Sequence, residues 1–369
     1  MQLARLTLSD FRNYTELELS PAPGLNVFVG ANAQGKSNLL EGIAMLGTGK
    51  SFRTAREADA VRNGCERAVL SGKAALRSGT IDLACSIERS SQGTRKSFTV
   101  NGAGVRYAGY LGKMRVVTFV PADLDLAAGT PSARRAFLNA ALSQSEPRYY
   151  HELARYRRSV QQKNALLRGT VEADRELLAT YNRALIESGT EITLARDALI
   201  RALGREAERA HRRFAPNERL ELTYEPNVAY EVPLREAVAA ALEARLLHCE
   251  EAERLRKSSI AGPHRDDLGL RLDGLALAAY GSQGQQRTAV LALKIAQYAV
   301  MRERANETPL LLLDDVLSEL DEERAAAFLS ELGEYEQAFV TATHRPAGLT
   351  DDAYLWGVVQ ARVEAWSRC

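Results

Sequence analysis

An eight-residue run near the start of the chain has the pattern G-x-x-x-x-G-K-S and consists of Gly30, Ala31, Asn32, Ala33, Gln34, Gly35, Lys36 and Ser37. It follows the apolar run 25–29, which predicts a strand, and it precedes the run 38–46, which predicts a helix. A strand, a glycine-rich turn and a helix in this order predict a phosphate-binding P-loop. Backbone N–H groups of the turn and of the helix start converge there, and the helix dipole favours negative charge.

Individual side chains of this P-loop have distinct predicted roles. Lys36 supplies a mobile cation for the β and γ phosphates of a nucleotide, and the hydroxyl of Ser37 supplies a ligand for Mg²⁺. We expect the backbone from position 30 to Asn38 to line the bound nucleotide. A second G-K-S, at Gly49, is not a P-loop, because the residue five positions earlier is Ala44 and because the segment follows a helix.

The composition is typical of a soluble globular protein of 369 residues, with 46% hydrophobic and 26% charged side chains and room for two domains or for one domain with an insertion. The 48 basic and 47 acidic side chains nearly cancel, so a surface for nucleic acid must be a local patch. The 4 cysteines are far apart, which predicts reduced thiols, and the 5 histidines are too scattered for a metal site. We find no signal-like segment and no apolar run of ~20 residues, and therefore expect a cytoplasmic protein that does not enter membranes.

Hydrophobic periodicity predicts mostly strands before Pro121 and mostly helices after it. The predicted strands of the first part are 3–8, 16–19, 25–29, 81–87, 96–100 and 115–120, with a hairpin turn at Asn101-Gly102. The predicted helices of the second part are 131–145, 147–168, 171–214, 231–256 and 284–304. Strands return as a pair, 268–272 with 275–279, and then at 310–313, 338–342 and 355–360, the last predicted strand; a helix is predicted at 322–332.

This order predicts an α/β fold in which the first and last segments form one sheet and a helical lobe is inserted between them. The predicted divisions are 1–122, 123–300 and 301–369. Within the lobe, apolar side chains recur every seven residues at Leu178, Leu185, Ile192 and Leu199. Such spacing is typical of a short coiled seam and also of core packing in a helical bundle, and the sequence leaves both open.

A second half of the nucleotide site is predicted where a buried strand ends. The run 310–313 is apolar throughout, which is typical of a strand buried on both faces, and Asp314 and Asp315 follow it directly. Ligands collect at the carboxyl ends of the strands in open α/β sheets. We therefore expect Asp314 to complete the Mg²⁺ shell and Asp315 to orient or deprotonate the attacking water. The plain alternative is a buried strand with a polar end.

Two further segments narrow the class of ATPase. Ser282 is the predicted N-cap of a helix and Gly284 allows close backbone approach, so residues 282–286, which include Gln285, predict a second anion-binding helix start. The acidic segment 318–321 follows the aspartates, and His344 lies past the next strand, where an imidazole can reach a γ-phosphate. P-loop, signature, acidic strand, D-loop and switch histidine in this order make up an ABC-type ATPase head.

Several longer runs resemble the RecF family of recombination-repair ATPases, which is related to the heads of structural-maintenance-of-chromosomes (SMC) proteins. The matching runs are spread over essentially the whole chain: 11–14 (FRNY), 34–41 (QGKSNLLE), 51–53 (SFR), 121–124 (PADL), 129–138 (GTPSARRAFL), 262–268 (GPHRDDL) and 313–321 (LDDVLSELD). The resemblance implies an ABC-type ATPase head, SMC-like, with an inserted helical lobe II.

The resemblance also implies that ATP and Mg²⁺ are held between two copies of the chain in a head-to-tail homodimer. ATP binding would drive this pairing, because a ligand that binds only the dimer stabilises it by ~2.7 kcal/mol at a hundredfold excess over its Kd. Slow hydrolysis would then release the pair, and Arg53 would lie near the nucleotide. One copy would contribute Lys36, Ser37, Asp314 and Asp315, and the other would contribute Ser282, Gly284 and Gln285.

The function that the resemblance implies is recombinational DNA repair and replication-fork maintenance by a weak, DNA-dependent ATPase. Such a protein would help to load the recombinase RecA at gaps, with RecR and RecO as further partners. The local sign of DNA binding is the segment 148–168, where six basic residues and three interleaved tyrosines stand against the single acid Glu152. A solvated helix face is the alternative. The predicted DNA contacts are Arg148, Arg155, Arg157, Arg158 and Lys163.

Two other classes of protein share single features with this chain. A P-loop metabolic enzyme would contain the same P-loop but would give no reason for the signature-like segment 282–286. A transporter-type ATPase subunit would have its aspartates much closer to the P-loop, whereas Lys36 and Asp314 are 278 residues apart. The sequence therefore favours the DNA-repair ATPase.

Overall fold

The computed structural model describes residues 1–90, 93–169, 174–305, 307–316, 328, 335–346 and 353–368. Its α-carbon contacts divide the chain into two compact units. Unit 1 consists of Met1–Asp123 with Gln297–Cys369, and unit 2 consists of Leu124–Ala296. The predicted segment 318–321 and, apart from Phe328, the predicted helix 322–332 lie outside the described residues.

The strands of the described residues are β1 (Gln2–Phe11), β2 (Tyr14–Leu19), β3 (Gly24–Val29), β4 (Arg67–Leu76), β5 (Gly79–Ser90), β6 (Gly93–Val100), β7 (Ala103–Val105), β8 (Val116–Phe119), β9 (Leu220–Glu225), β10 (Asp267–Leu272), β11 (Leu275–Ala276), β12 (Leu310–Asp314), β13 (Gln337–Ala342), β14 (Tyr354–Val359) and β15 (Arg362–Arg368). The helices are α1 (Lys36–Thr48), α2 (Tyr107–Tyr110), α3 (Asp125–Ala128), α4 (Pro131–Ser145), α5 (Pro147–Arg168), α6 (Arg175–Phe214), α7 (Arg235–His248), α8 (Glu250–Arg256), α9 (Leu277–Tyr280) and α10 (Gln283–Ala305).

Unit 1 contains two six-stranded sheets. One has the order β2-β1-β4-β5-β6-β7, and its neighbouring strands are antiparallel. The other has the order β15-β14-β3-β13-β12-β8, and its neighbours are parallel except for β15 with β14. Parallel strands end at the same edge of a sheet, so the P-loop after β3, the aspartates at the end of β12 and the residues after β13 follow one common edge.

Helix α1 is held between these two sheets in one hydrophobic core. Ten of its 13 residues are buried, which is typical of a helix enclosed on all sides. Leu39 of α1 belongs to the same apolar cluster as Leu6 of β1 and Leu312 of β12. Glycine is required at Gly47, because a Cβ there would stand 2.5 Å from Cγ2 of Val116. The P-loop at the start of α1 is therefore fixed by packing from both sides.

Unit 2 combines helices with the three-stranded antiparallel sheet β11-β10-β9. Its longest helix, α6, has 40 residues and packs against α5, α7 and β9. The carboxylate of Asp174 caps the start of α6 by accepting from the backbone N–H groups of Glu176 and Leu177. The four residues of the seven-residue repeat are buried, so of the two packings that the sequence allowed, the structure shows core packing of the lobe.

Four strands of the described residues, β4, β7, β9 and β15, are absent from the predicted set. The strand at 355–360 is not the last one, because β15 follows it after the turn Gln360-Ala361, whose φ angles are 49° and 59°. Turns of this geometry usually contain Asn-Gly or Asp-Gly, so this one gives no sequence signal. Strand β4 was not predicted, because Ser71-Gly72-Lys73 interrupts its apolar residues. Strand β9 was not predicted either. Gly72 is needed, since a Cβ there would stand 2.7 Å from the carbonyl oxygen of Arg5.

Two predicted elements were wrong in extent. Residues 277–279, predicted as strand, lie in α9, because Leu277-Ala278-Ala279 favours helix and only Leu275–Ala276 pairs with β10. The predicted helix 231–256 is two helices, α7 and α8, with Cys249 between them. It also begins later than predicted, because Pro233 restricts the residues before it. Among the described residues no helix is long and apolar enough to cross a membrane.

Candidate functional site

The P-loop forms a tight turn between β3 and α1. Gly35 precedes the first residue of α1 with φ 114°, a conformation that only glycine adopts readily. A Cβ at Gly35 would stand 2.9 Å from Nδ2 of Asn13, and the hydroxyl of Tyr14 donates to the Gly35 carbonyl at 3.2 Å. The predicted strand–turn–helix order is therefore present, and the loop is held against β2 and the turn before it.

Lys36 is withdrawn into this loop. Its side chain is 7% exposed, and Nζ donates to the carbonyl oxygens of Gly30 at 2.6 Å and Ala31 at 2.9 Å. Burial lowers the pKa of Lys36, and the nearby charges of Asp315 and Asp314 oppose that shift. The ammonium group thus lies between the P-loop backbone and the two aspartates.

The acidic strand end faces the same loop. Asp314 is 7% exposed and accepts hydrogen bonds from the hydroxyl groups of Ser37 and Thr341, the latter at 2.9 Å. Burial raises the pKa of Asp314, which these hydrogen bonds oppose. The backbone N–H of Asp315 donates to Oγ1 of Thr341 at 2.9 Å, and Asp315 has φ 56°. The chain thus turns sharply after β12.

These groups, except Asp314, line one cavity of about 430 Å³. Of the predicted site residues, the cavity brings together Asn32, Ala33, Gly35, Lys36, Ser37, Asn38, Arg53 and Asp315. Gly30 and Ala31 contact Lys36 through their carbonyls, and Gln34 instead accepts at Oε1 from the backbone N–H of Gln360 at 2.7 Å.

Two lining residues of the cavity, Asn13 and Thr341, were not among the predicted site residues. Thr341 had a sequence signal, because it is a hydroxyl residue near the end of the otherwise apolar run 338–342. Asn13 lies in the run 11–14, one of the family-like runs, but nothing local to it indicates a ligand.

Arg53 reaches the cavity through a network centred on Glu41, which is fully buried. Glu41 accepts two hydrogen bonds from Arg12, at 2.9 and 2.6 Å, and one from the hydroxyl of Ser51 at 2.5 Å. Arg53 lies 3.7 Å from the same carboxylate and donates to Oδ1 of Asn38. The network ties the segment 51–53 to α1.

The signature-like segment forms the start of α10 in unit 2. The hydroxyl of Ser282 accepts from the backbone N–H of Gln285 at 3.2 Å, and Oε1 of Gln285 accepts from the backbone N–H of Ser282 at 2.9 Å. This reciprocal pair is a capping box. Gly284 is exposed, and a Cβ there would meet nothing closer than 4.0 Å.

The predicted switch histidine is exposed after β13 and does not line the cavity. Its Nε2 lies 3.2 Å from Oγ1 of Thr343.

The basic helix α5 exposes part of its predicted DNA-binding set. Arg148, Arg155, Arg157 and Arg158 are exposed, and Arg155 pairs with Glu187. The fifth residue, Lys163, is buried, so its prediction as a DNA contact was wrong, and two of the three interleaved tyrosines are buried as well.

Lys163 lies in the interior of unit 2. Its side chain and that of Glu253 are each 2% exposed, and they form an ion pair of 2.6 Å. Tyr149 and Tyr156 are also buried. All three belong to the apolar stripe of α5, whose spacing of three and four residues continues through Leu153 and Leu167. That spacing was the sequence signal against surface roles for these residues.

Comparison with known proteins places the chain in a family. The family model described as RecF/RecN/SMC N terminal domain matches residues 2–365. The chain is 44% identical over 349 residues to the DNA replication and repair protein RecF of Symbiobacterium thermophilum, covering 93% of this chain and 92% of that relative. The chain belongs to the RecF family. A second RecF protein, from Thermosynechococcus vestitus, is 40% identical over 93% of this chain and 91% of its own length.

Solved structures confirm the predicted fold class. A structure described as the recombination mediator protein RecF-ATP in the RecFOR pathway has a TM-score of 0.91 and 30% identity, covering 99% of this chain and 97% of that one. The SMC head domain of Pyrococcus furiosus has a TM-score of 0.57 at 15% identity and covers 99% and 96% of the two chains, which shows the fold alone. The RecF-family chain therefore has the α/β fold of an ABC-type ATPase head, related to the SMC heads.

Proposed function

We propose that this RecF-family chain is an ATP-dependent DNA-binding clamp of recombinational repair and replication-fork maintenance. In this proposal residues 1–122 and 301–369 form ATPase lobe I, and residues 123–300 form lobe II. One observation carries it: Lys36, Ser37 and Asp315 line one cavity, and Asp314 accepts a hydrogen bond from Ser37. The names of the relatives, DNA replication and repair protein RecF, and the ATP in the name of a solved RecF structure support the same function.

The P-loop cavity supplies the groups that ATP hydrolysis needs. Lys36 exchanges its bonds to the loop carbonyls for the β and γ phosphates, because a charge-assisted hydrogen bond to phosphate is stronger than one to a neutral carbonyl. Asp315 orients or deprotonates the attacking water. The cavity volume of about 430 Å³ is in the ordinary range for small-molecule sites, roughly 300–1,000 Å³.

The oxygen atoms of Ser37 and Asp314 fit a Mg²⁺ ion. Mg²⁺ prefers oxygen ligands and is usually held by one or two carboxylates together with substrate phosphates. The Asp314 carboxylate is buried, its pKa is raised by that burial, and its hydrogen bonds come from hydroxyl groups. Such a carboxylate favours a cation beside it, and the bound ion would supply charge neutralisation for the phosphates.

We propose that a second copy of the chain completes the site in a head-to-tail homodimer. The exposed start of α10 supports this, because a helix N-terminus favours anions. The capping box at this start consists of protein groups alone, so a phosphate from outside can still approach it. Ser282, Gly284 and Gln285 of one copy would then contact the γ-phosphate held by the other, and His344 would reach the same phosphate.

Hydrolysis in this proposal is slow, depends on DNA and acts as the release step of the clamp. The pathway named for the solved RecF structure suggests RecR and RecO as partners, and the recombinase RecA would be loaded at gaps. We place this activity in the cytoplasm. Family membership over residues 2–365 disfavours the metabolic-enzyme and transporter alternatives.

Analytical ultracentrifugation with and without ATP and Mg²⁺ tests the pairing. The wild-type chain is expected to sediment as a dimer only with ATP, and Ser282→Arg is expected to stay monomeric although it still binds ATP. Ser78→Arg is the matched control, because Ser78 is exposed in the turn between β4 and β5. A wild-type chain that stays monomeric with ATP contradicts the head-to-tail dimer.

The salt dependence of DNA binding tests the exposed arginines of α5. Arg155→Ala combined with Arg158→Ala is expected to reduce the slope of log K against log salt by ~2 units, because each arginine that contacts a phosphate contributes about 0.9. Arg205→Ala combined with Arg209→Ala is the control, since both arginines are exposed on α6. Equal slopes in the two double variants would show that DNA does not bind to these arginines of α5.

A further inference from the structure

A separate cavity of about 250 Å³ lies inside unit 2, among α4, α5, α6 and the turn at Pro263. Its volume is below the roughly 300–1,000 Å³ of ordinary small-molecule sites, so it suits a single chemical group better than a whole nucleotide. The polar side chains that line it include Ser132, Arg135, Asn139, Arg157, Arg196 and His264.

The deepest of these side chains, Arg196, is 2% exposed and almost fully bonded. Its Nη1 donates to the Pro263 carbonyl at 2.6 Å and to Asp266 at 2.9 Å. Its Nη2 donates to Asn139 at 3.0 Å, and its Nε donates to the hydroxyl of Tyr149 at 3.3 Å. These contacts use four of the five N–H groups of the guanidinium, so one N–H at Nη2 is left for a group in the cavity that Arg196 lines.

The hydrogen bonds and the lowered pKa of His264 both favour a neutral imidazole at the cavity wall. Nε2 of His264 lies 3.2 Å from the carbonyl oxygen of Ser259, which can only accept, so Nε2 carries the proton. Nδ1 then accepts from the hydroxyl of Tyr156 at 2.6 Å. Burial lowers the pKa of His264, which agrees with this neutral form. In that form His264 neither adds to nor cancels the charge of the arginines.

The positive charge at this cavity exceeds the negative charge that pairs with it. The carboxylate of Asp266 pairs with Arg196, and that of Asp267 pairs with Arg134 at 2.6 Å. Arg135 donates instead to the neutral carbonyl oxygen of Asp266 at 2.7 Å. Burial and then repulsion by Arg196 lower the pKa of Arg135, against the attraction of these aspartates.

Arg157, which also lines this cavity, is exposed and makes no ion pair or hydrogen bond within the described part of the chain. Arg135 and Arg157 thus present guanidinium charges that no carboxylate of the described residues pairs with directly. Guanidinium groups match phosphate oxygens in charge and in geometry.

We propose that this cavity of unit 2 is a phosphate-binding site, in which Arg135 and Arg157 hold the phosphate oxygens above the bonded guanidinium of Arg196. The hydroxyl of Ser132 supplies a further donor at the wall. The phosphate belongs either to the backbone of a nucleic-acid strand or to a small phosphate compound. The proposal does not depend on DNA binding, because an inorganic oxyanion tests it.

Crystals of the full chain soaked in tungstate test the site, since tungstate mimics phosphate and its anomalous scattering locates each ion. An ion is expected between Arg135 and Arg157, resolved from any ion at the P-loop. Arg157→Gln is expected to reduce its occupancy at least tenfold at limiting tungstate; Arg157 has no partner to lose, so the fold is kept. Arg135→Gln is the second variant, and Arg205→Gln on α6 is the matched control.

An empty cavity in the wild-type chain overturns the proposal, as does equal occupancy in Arg157→Gln and Arg205→Gln. Fluorescence anisotropy with a labelled single-stranded oligonucleotide then identifies the source of the phosphate. A strand phosphate predicts that Arg135→Gln weakens DNA binding and that tungstate competes with DNA in the wild-type chain. A small phosphate compound predicts unchanged DNA affinity in Arg135→Gln. Because the tungstate positions are seen separately, failure of this site and failure of the P-loop proposal are distinguishable.

Discussion

The two helix starts that carry the predicted phosphate sites, at α1 and at α10, are built in opposite ways. At α1, Lys36 and the facing Asp314 at the end of β12 are each 7% exposed, so their charges are held away from water. At α10, Ser282 and Gly284 are exposed, and a capping box already satisfies the helix end. Burial at the start of α1 disfavours the charged forms of Lys36 and Asp314. At the start of α10, in contrast, the capping box satisfies the helix end without a ligand.

Because of this difference, we expect the helix starts of α1 and α10 to respond differently to substitution. Burying a charge costs free energy unless it is fully paired, and burial shifts the pKa of Lys36 down and that of Asp314 up. A capping box, in contrast, stabilises its helix. Removing a charge at α1 should therefore cost activity but not stability, whereas removing the cap at α10 should cost stability as well.

The largest expected effect is on turnover. Asp315→Asn and Lys36→Arg are each expected to lower kcat for ATP hydrolysis at least about 100-fold. The first removes a positioned base, and the second replaces the compact ammonium of Lys36 with a planar guanidinium that places its charge elsewhere. Ser282→Arg is expected to lower turnover as strongly by preventing pairing. Phosphate release measures all three, and Asp315→Asn should still pair with ATP.

Mixing two inactive variants tests whether the helix starts of α1 and α10 from different copies form one shared site. In a mixture of Asp315→Asn with Ser282→Arg, the mixed dimer has one site with an intact α1 start from one copy and an intact α10 start from the other. Equal amounts should therefore recover turnover well above that of either variant alone and at most about half of the wild-type value, since each mixed dimer has one working site of two. No recovery in the mixture contradicts sharing of the site between copies.

A smaller effect is expected from removing the cap alone. Ser282→Ala is expected to lower the free energy of unfolding by about 1 kcal/mol, because the backbone N–H of Gln285 loses its acceptor. Ser282→Gly should lower it by only a few tenths of a kcal/mol. Urea unfolding followed by circular dichroism measures both, and equal losses would show that the cap does not stabilise α10.

The smallest expected effect has the opposite sign. Asp314→Asn is expected to raise the melting temperature at pH 7 by about 1 °C, the shift that about 1 kcal/mol gives in a chain of 369 residues, while abolishing hydrolysis. Burial raises the pKa of Asp314 above its ordinary value of 3.8, so the wild-type chain loses stability as pH rises through the folded pKa. The gain of Asp314→Asn should therefore shrink as pH falls toward 3.8. A gain that grows toward acid contradicts this sign.

Much of the α1 site was predictable because each half of it is one continuous segment. The P-loop is a strand, a turn and a helix that follow one another, and the aspartates directly follow their strand. Thr341 and Asn13 enter the same cavity from other segments, so no local pattern joins them to it. The turn at Gln360-Ala361 was not predicted for a different reason. Its positive φ angles occur without the Asn-Gly or Asp-Gly pair that usually indicates such a turn.

The amino-acid sequence by itself determined the fold class, the P-loop and the acidic strand end, because periodicity and turn chemistry act between neighbours in the chain. Only the tertiary structure decided which charges are buried. Lys163 was predicted on the surface, but it lies against Glu253, 90 residues farther along the chain. Arg135 and Arg157 meet at one cavity although they come from two helices. Burial depends on which distant elements pack together, and the spacing of residues in a sequence does not contain that information.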